Sequence, residues 1–481
     1  MANNGVSSLS EPQQLVIDGS YTTSSDGTTF QVVNPMKGEK IYDCASATVQ
    51  DYQKAIESAS EAFKTWSRTS PSARRLVFLK AADIIEGYAK QDAPAILSAE
   101  VSATKSWVQV NIGATAGILR ESAGLVTHIK GEIVPADRPG TTILVERQPV
   151  GVVFAISPWN APVNLTARAI ATPLHLVVRA LAEAGLPPGC LNFVPTSPER
   201  APEVTEYAVK HPLVRRVNFT GSDRVGKIIA GWAATCLKQC VLELGGKAPV
   251  LVLDDANIED AVEAVAFGAF ANAGQICMST ERVLVHTSIA AKFKELLIQK
   301  SRELKTGNHE DDPEVSISGL YTPASATRIL ALMKDAVSSG AKLLCGDMSL
   351  AGPNKTIIAP HVFEGVTPEM DIFHKESFGP LICLTEFNTD EDAIRLANES
   401  DFSLCASVFS RDILRALDVG RQVRAGSCHI NGPTVYIEAT LPNGGTGGSS
   451  GYGRFGGIAG VEEFTERQIL SLGKSGMRYR F

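Results

Sequence analysis

"VRRVNFTGSDRVGKIIAGWAATCLKQCVLELGG" runs from residue 214 to residue 246. "VRRVNFTG" reads as a buried strand, "SDRVGKIIAGWAATCLK" as a helix, and "QCVLELGG" as a second strand ended by two glycines. Strand, helix, strand is the rhythm of a parallel sheet. It continues on both sides. Upstream, "GVVFAIS" from residue 151 is a buried strand, "LNFVPT" (191–196) a short strand and "EVTEYAVKHP" a helix. Downstream come "APVLVLDD", the helix "IEDAVEAVAFGAFANAG" and the strand "ERVLVHT", and "FGPLICLTEF", "DEDAIRLANES", "SLCASVFSRD" and "AGSCHING" continue this α/β stretch. The fold class is α/β with a doubly wound parallel sheet, which binds ligands at the carboxyl ends of its strands.

The 481 residues, 44% apolar and 20% charged, suit two or three globular domains. The net charge of −7 argues against a nucleic-acid partner. Residues 1–12 lack the pattern of a signal peptide and read as a loose tail. No apolar run approaches a membrane span, so the expected address is the cytoplasm. Nine cysteines without C-x-x-C and eight histidines without a close pair argue against disulfides and a metal site. Before the sheet, residues 50–66 are helical, and Ser70 and Pro71 open a second helix. "TTILVERQ", within 131–150, alternates as an extended arm whose open edge invites another chain.

Several strands end in small or polar turns. "NAGQICMSTERV" places Cys277 in a polar turn after a long helix, where nearby donors lower a thiol's pKa and make it a nucleophile; a packed, inert cysteine fits the same spacing. Glu243 closes a strand before Gly245 and Gly246, where a desolvated carboxylate suits a general base; a plain turn carboxylate is the alternative. Asn160, after Trp159, either donates to an oxyanion or caps the next helix. "FTGSDRVGK" (219–227) offers a helix start suited to phosphate, but Ile228 stands where a nucleotide triphosphatase needs Ser or Thr. "GGSSG" (447–451) matches G-x-S-x-G around Ser449, yet glycines replace the strand and helix a serine hydrolase needs.

Taken together, "PWN", "FTGS", "LELGGK", "NAGQIC" and "ESFGP" resemble the aldehyde dehydrogenase family in content and order, from about residue 13 onward. "GQICMSTERV", "CHINGPTV" and "SGYGRFGG" look most similar to members acting on aromatic aldehydes, such as salicylaldehyde and vanillin dehydrogenases. The resemblance implies a Rossmann-type cofactor domain (13–127 and 150–245), an α/β catalytic domain (246–447) and a small β oligomerisation arm (128–149 and 464–481). It implies a homodimer or homotetramer, NAD or NADP as cofactor, and a small aldehyde as substrate. Cys277 would attack the aldehyde, Asn160 would hold the oxyanion and Glu243 would activate water. Trp159, Gly221, Ser222, Gly226, Leu244, Glu376 and Phe378 would hold the cofactor, and Trp107, Asn164 and Arg168 would line an aromatic slot.

One stretch departs from the family. The helix pattern "PVNLTARAIATPL" runs directly into "HLVVRALAEAG". Between them the family has a strand of the type "GNTVVLK", then a small residue and "SE", whose Lys and Glu hold the adenosine ribose. Here Leu174 is followed at once by His175. The implied alternative is a cofactor-impaired or inactive family member with residual esterase activity, or a chain that keeps only the fold.

Overall fold

The structure, a computed structural model, describes residues 13–169 and 174–476. The expected tail (1–12), residues 170–173, the end of the expected C-terminal arm (477–481) and the side chain of Arg168 lie outside the described residues.

Two antiparallel pairs come first, β1 (Leu15–Ile17) with β2 (Ser20–Thr22) and β3 (Thr29–Val33) with β4 (Lys40–Ala45). The helices Val49–Trp66, Pro71–Tyr88, Ala93–Val101 and Lys105–Leu125 follow. Ser70 Oγ accepts from Ala73 N at 3.2 Å with Pro71 in the first turn, so this helix starts where its capping residues place it. β5 (Glu132–Val134) and β6 (Thr141–Pro149) form the arm. β6 is not the open edge expected of it. The C-terminal strand Thr465–Gly473 pairs along it on one side and β5 on the other. The C-terminal strand covers all of "TTILVERQ" on one flank, while β5 covers only Ile143–Val145 on the other.

The opening motif folds into the parallel sheet β7 (Val152–Ile156), β8 (Val214–Thr220) and β9 (Gln239–Glu243), paired in that order. The helix Asp223–Thr235 crosses from β8 to β9 and packs Ile229 and Ala233 against Val217, Phe219 and Leu242. The strand expected at 191–196 is absent. Only Phe193 makes a bridge, exchanging bonds of 2.7 and 2.8 Å with Val16. The physical reason lies on its other side. A cavity of about 300 Å³ separates this segment from β7, lined by Phe154, Ile156, Leu191, Val194, Tyr52 and Ile56. A strand needs partners for its N–H and C=O groups on alternating sides, and here Val16 pairs with Phe193 and Ala47 N donates to the Pro195 carbonyl at 2.8 Å, while the cavity lies toward β7. In sequence, the helices Pro162–Ala169 and Leu174–Glu183 lie between β7 and this segment.

The second half builds a seven-stranded sheet from β10 (Ala248–Val252), β11 (Thr280–His286), β12 (Lys342–Cys345), β13 (His361–Glu364), β14 (Leu381–Phe387), β15 (Cys405–Phe409) and β16 (Ser427–Ile430). Their order is β12-β13-β14-β11-β10-β15-β16, with only β12 antiparallel to its neighbour. "APVLV" of β10 and "CASVF" of β15 are buried at every position, as parallel strands covered on both faces require. No helix among the described residues is long and apolar enough to cross a membrane. All nine cysteines are free thiols.

Candidate active site

After Glu243 at the end of β9, the chain passes Gly245 and Gly246 before entering β10. Two close approaches explain this pair. A Cβ on Gly245 would stand 2.7 Å from Glu376 Oε2, and one on Gly246 would stand 2.1 Å from the Cys277 carbonyl oxygen. Glycine thus lets three distant segments converge. Gly246 N also donates to Glu376 Oε1 at 2.8 Å. Because the obstacle at Gly246 is backbone, Gly246→Ala is expected to displace the Cys277 turn. The expected loss is about 1–3 kcal/mol of stability and about 100-fold in activity. Melting and turnover measured together check this; a variant matching wild type in both would show that the two segments separate freely.

Cys277 follows Asn272 and Ala273, both left-handed with φ of 50° and 55°. Such conformations in non-glycine residues are costly and concentrate at functional sites. Beside the thiol lies the Glu243 carboxylate, close enough for its charge to act on it. The sequence suggested donors that lower this thiol's pKa; the structure has the reverse. Burial, and then the negative Glu243, hold it well above the ordinary thiol range. The resting thiol is therefore protonated, with a carboxylate placed to accept its proton.

Asn160 is buried. Its Nδ2 donates to the Gln275 carbonyl at 2.8 Å, while its own carbonyl accepts from Trp107 Nε1 at 2.8 Å and from Asn272 Nδ2 at 3.3 Å. Trp107 thus sits behind Asn160 and holds it, and is not part of the wall of the cavity that contains Cys277. Asn164 lies one helical turn beyond Asn160, half-buried, and Leu165 beside it does line the cavity.

That cavity, of about 730 Å³, brings together most of the residues expected to act. Asn160, Leu165 and Cys277 line it; so do Trp159, Glu376 and Phe378, and Gly221, Ser222 and Leu244 at the start of the helix Asp223–Thr235. Ser222 caps this helix, accepting from Val225 N at 3.4 Å. Gly226 is not on the wall; it lets Leu244 pack against the helix, where a Cβ would come within 2.5 Å. Trp159 stacks on Tyr321 (4.2 Å, 8°) and meets Phe378 edge-on (5.7 Å, 81°). Burial first, then the neighbouring Glu281, push Glu376 up to about 8. Among the described residues, Thr220 Oγ1 and Asn160 Oδ1 are buried without a partner, and both residues line the cavity. Polar atoms left so at the wall suit a polar ligand.

Sequence reasoning missed Tyr321, Gln275, Arg328 and the buried pair Lys247–Glu281. The pair carried a signal, since each charge borders an apolar strand run, "APVLV" or "RVLV". Tyr321 carried none. Ser449 is not a nucleophile elbow. It stands on a short 3-10 turn, Gly448–Ser450, and donates to Asp401 Oδ2 at 2.6 Å.

Cys277 lines a cavity that reaches a helix start, with the Glu243 carboxylate beside its thiol, in an α/β chain. The aldehyde dehydrogenase family pattern matches residues 21–176 and 172–470, and the chain belongs to this family. It is 41% identical to the salicylaldehyde dehydrogenase of Pseudomonas sp. (strain C18), covering 97% of this chain and 99% of that protein. It is 42% identical to the vanillin dehydrogenase of Pseudomonas sp. (strain HR199), covering 95% and 97%. The crystal structure of a salicylaldehyde dehydrogenase from Pseudomonas putida G7 complexed with salicylaldehyde superposes with a TM-score of 0.94 at 41% identity, covering 98% of this chain and 100% of that one. The two family matches meet at 172–176. The strain C18 alignment runs over 486 positions against 481 residues, so it carries gaps on this chain's side.

Proposed function

We propose that the protein oxidises an aromatic aldehyde to its carboxylic acid, using NAD or NADP. The observation that carries this is the Cys277–Glu243 contact beneath a cavity that extends to the Asp223–Thr235 helix start. Glu243 takes the thiol proton, and the thiolate adds to the aldehyde carbon, turning C=O into an oxyanion. The second N–H of the Asn160 amide and the Cys277 backbone N–H hold that charge. A nicotinamide bound in the cavity would supply the hydride acceptor that turns this adduct into a thioester on Cys277. Glu243, once it has passed the thiol proton to solvent, takes a proton from water, the hydroxide adds to the thioester, and the C–S bond breaks to release the acid and a thiolate that the protonated Glu243 reprotonates. Gly221, Ser222 and the helix start hold the pyrophosphate; Glu376 holds the ribose nearest the reacting carbon, with Phe378 and Trp159 beside it.

The β7–β9 sheet with its helices serves as the cofactor unit, the seven-stranded sheet as the catalytic unit, and the arm as the contact of a homodimer or homotetramer. The relatives named above are dehydrogenases, which favours oxidation over an esterase without a cofactor. The test is turnover of benzaldehyde, salicylaldehyde and vanillin with NAD and with NADP; no reduced cofactor with any of them would refute the proposal.

A pH effect follows from the raised thiol. Below its pKa, the ionised fraction grows about tenfold per pH unit. The acylation burst with a nitrophenyl ester should therefore accelerate from pH 7 to pH 9. A burst rate independent of pH over this range would mean that thiol ionisation does not limit the step.

A further inference from the structure

Two charged side chains buried beside the cavity have no part in the steps above. Lys247, next after Gly246, and Glu281, on β11, form an ion pair, with side chains 0% and 3% exposed. Glu281 also faces the cavity loop. Its Oε1 accepts from Ser377 N at 3.0 Å and Phe378 N at 3.2 Å, and its Oε2 from Ser377 N at 2.9 Å. Phe378 is left-handed, with φ of 53°. Successive N–H groups turned inward in this way form an anion-binding nest, and here the chain's own carboxylate fills it. The conformation costs about 1–3 kcal/mol in a residue with a side chain, and bonds to an ionised acceptor are strong enough to hold it. From the other side, Arg328 donates to the carbonyls of Glu376 (3.2 Å) and Ser377 (2.7 Å). Segment 376–378 is gripped between the two, and its flanking residues, Glu376 and Phe378, are those that line the cavity.

We propose that Glu281, neutralised by Lys247, is a positioning residue for the cofactor. It fixes the nest at Ser377 and Phe378, and so sets where the Glu376 carboxyl and the Phe378 ring meet the nicotinamide riboside. This rests on reading the cavity as a nicotinamide site. Apolar side chains would fill the same space at least as stably; what they lack is an acceptor for the two N–H groups.

The test compares wild type with Glu281→Gln and with the double variant Lys247→Met/Glu281→Gln, which leaves no buried charge unpaired. Amide exchange at 376–378, NAD affinity by calorimetry and cofactor-free hydrolysis of nitrophenyl acetate are measured on each. In both variants exchange at 377 and 378 should accelerate, and the Kd for NAD should rise, each by about tenfold or more. Ester turnover should fall by less than about threefold, as expected for a residue that does not touch Cys277. Wild-type exchange and Kd in both variants overturn the proposal. So does ester turnover falling in parallel with NAD affinity, which would mark the pair as merely structural. Failure of wild type to bind NAD or NADP overturns the reading of the cavity itself, and this is seen before any variant is compared.

Discussion

Cys277→Ala should abolish aldehyde oxidation and ester hydrolysis together, by roughly 10⁴-fold or more, since removing a covalent nucleophile leaves only binding and oxyanion contacts. The other eight cysteines are poor substitutes. Cys405, in the core cluster that Cys277 packs against, is itself buried, and burial pushes its thiol far up. Glu243→Gln should behave differently. An amide cannot take a proton from water, so steady-state turnover should fall by about 10²–10⁴-fold. Yet the substitution also removes the negative charge that, after burial, raises the Cys277 thiol. The thiol pKa then moves down, the thiolate fraction at a given pH rises, and acyl transfer to Cys277 survives. One equivalent of acyl group per chain should accumulate, visible by intact mass and as a single burst of reduced cofactor. Should Glu243→Gln keep wild-type turnover, or Cys277→Ala keep either activity, the assignment of both residues is wrong.

These two residues also show how far the sequence carries. Glu243 stood out at a strand end before two glycines, and Cys277 in a polar, glycine-containing turn after a long helix, which is local information. That they touch is not local. It depends on Gly246 lying against the Cys277 backbone, a contact between segments 31 residues apart. The thiol shift runs opposite to the sequence expectation for the same reason, since only the fold shows that the thiol is buried and that its charged neighbour is a carboxylate. Nor is it local that Trp107, expected to line the aromatic slot, donates its indole N–H to the Asn160 backbone carbonyl. The parallel sheets were legible because buried strands such as "APVLV" are apolar at nearly every position. The segment 191–196 has the same composition but lacks a neighbour on one side, and composition cannot report an absent neighbour.

Supplying a strand on that side is expected to have the largest effect on cofactor binding. A segment of the form "GNTVVLK", continued by a small residue and "SE", inserted between Leu174 and His175, is expected to tighten NAD or NADP binding by one to several orders of magnitude. The cavity beside β7 is lined by Phe154, Ile156, Leu191 and Val194, so an apolar strand placed there buries its own side chains against them. Each such side chain contributes about 1.5–3 kcal/mol, and the facing backbone edges gain ladder bonds. The melting temperature should therefore rise as well. The Lys and Glu at the end of the segment add charge-assisted bonds to the adenosine ribose, each about 1.5–3 kcal/mol, or roughly one to two factors of ten in Kd. A Gly/Ser insert of equal length is the control, because it lengthens the crossover without filling the cavity or supplying the charges. Calorimetric titration of the three chains separates the outcomes. Tighter binding with the apolar segment alone supports a cofactor sheet that lacks one strand. Equal binding in all three would show that the helix start and the Glu376–Phe378 loop already hold the cofactor without it, and that the cavity beside β7 lies outside the cofactor's reach.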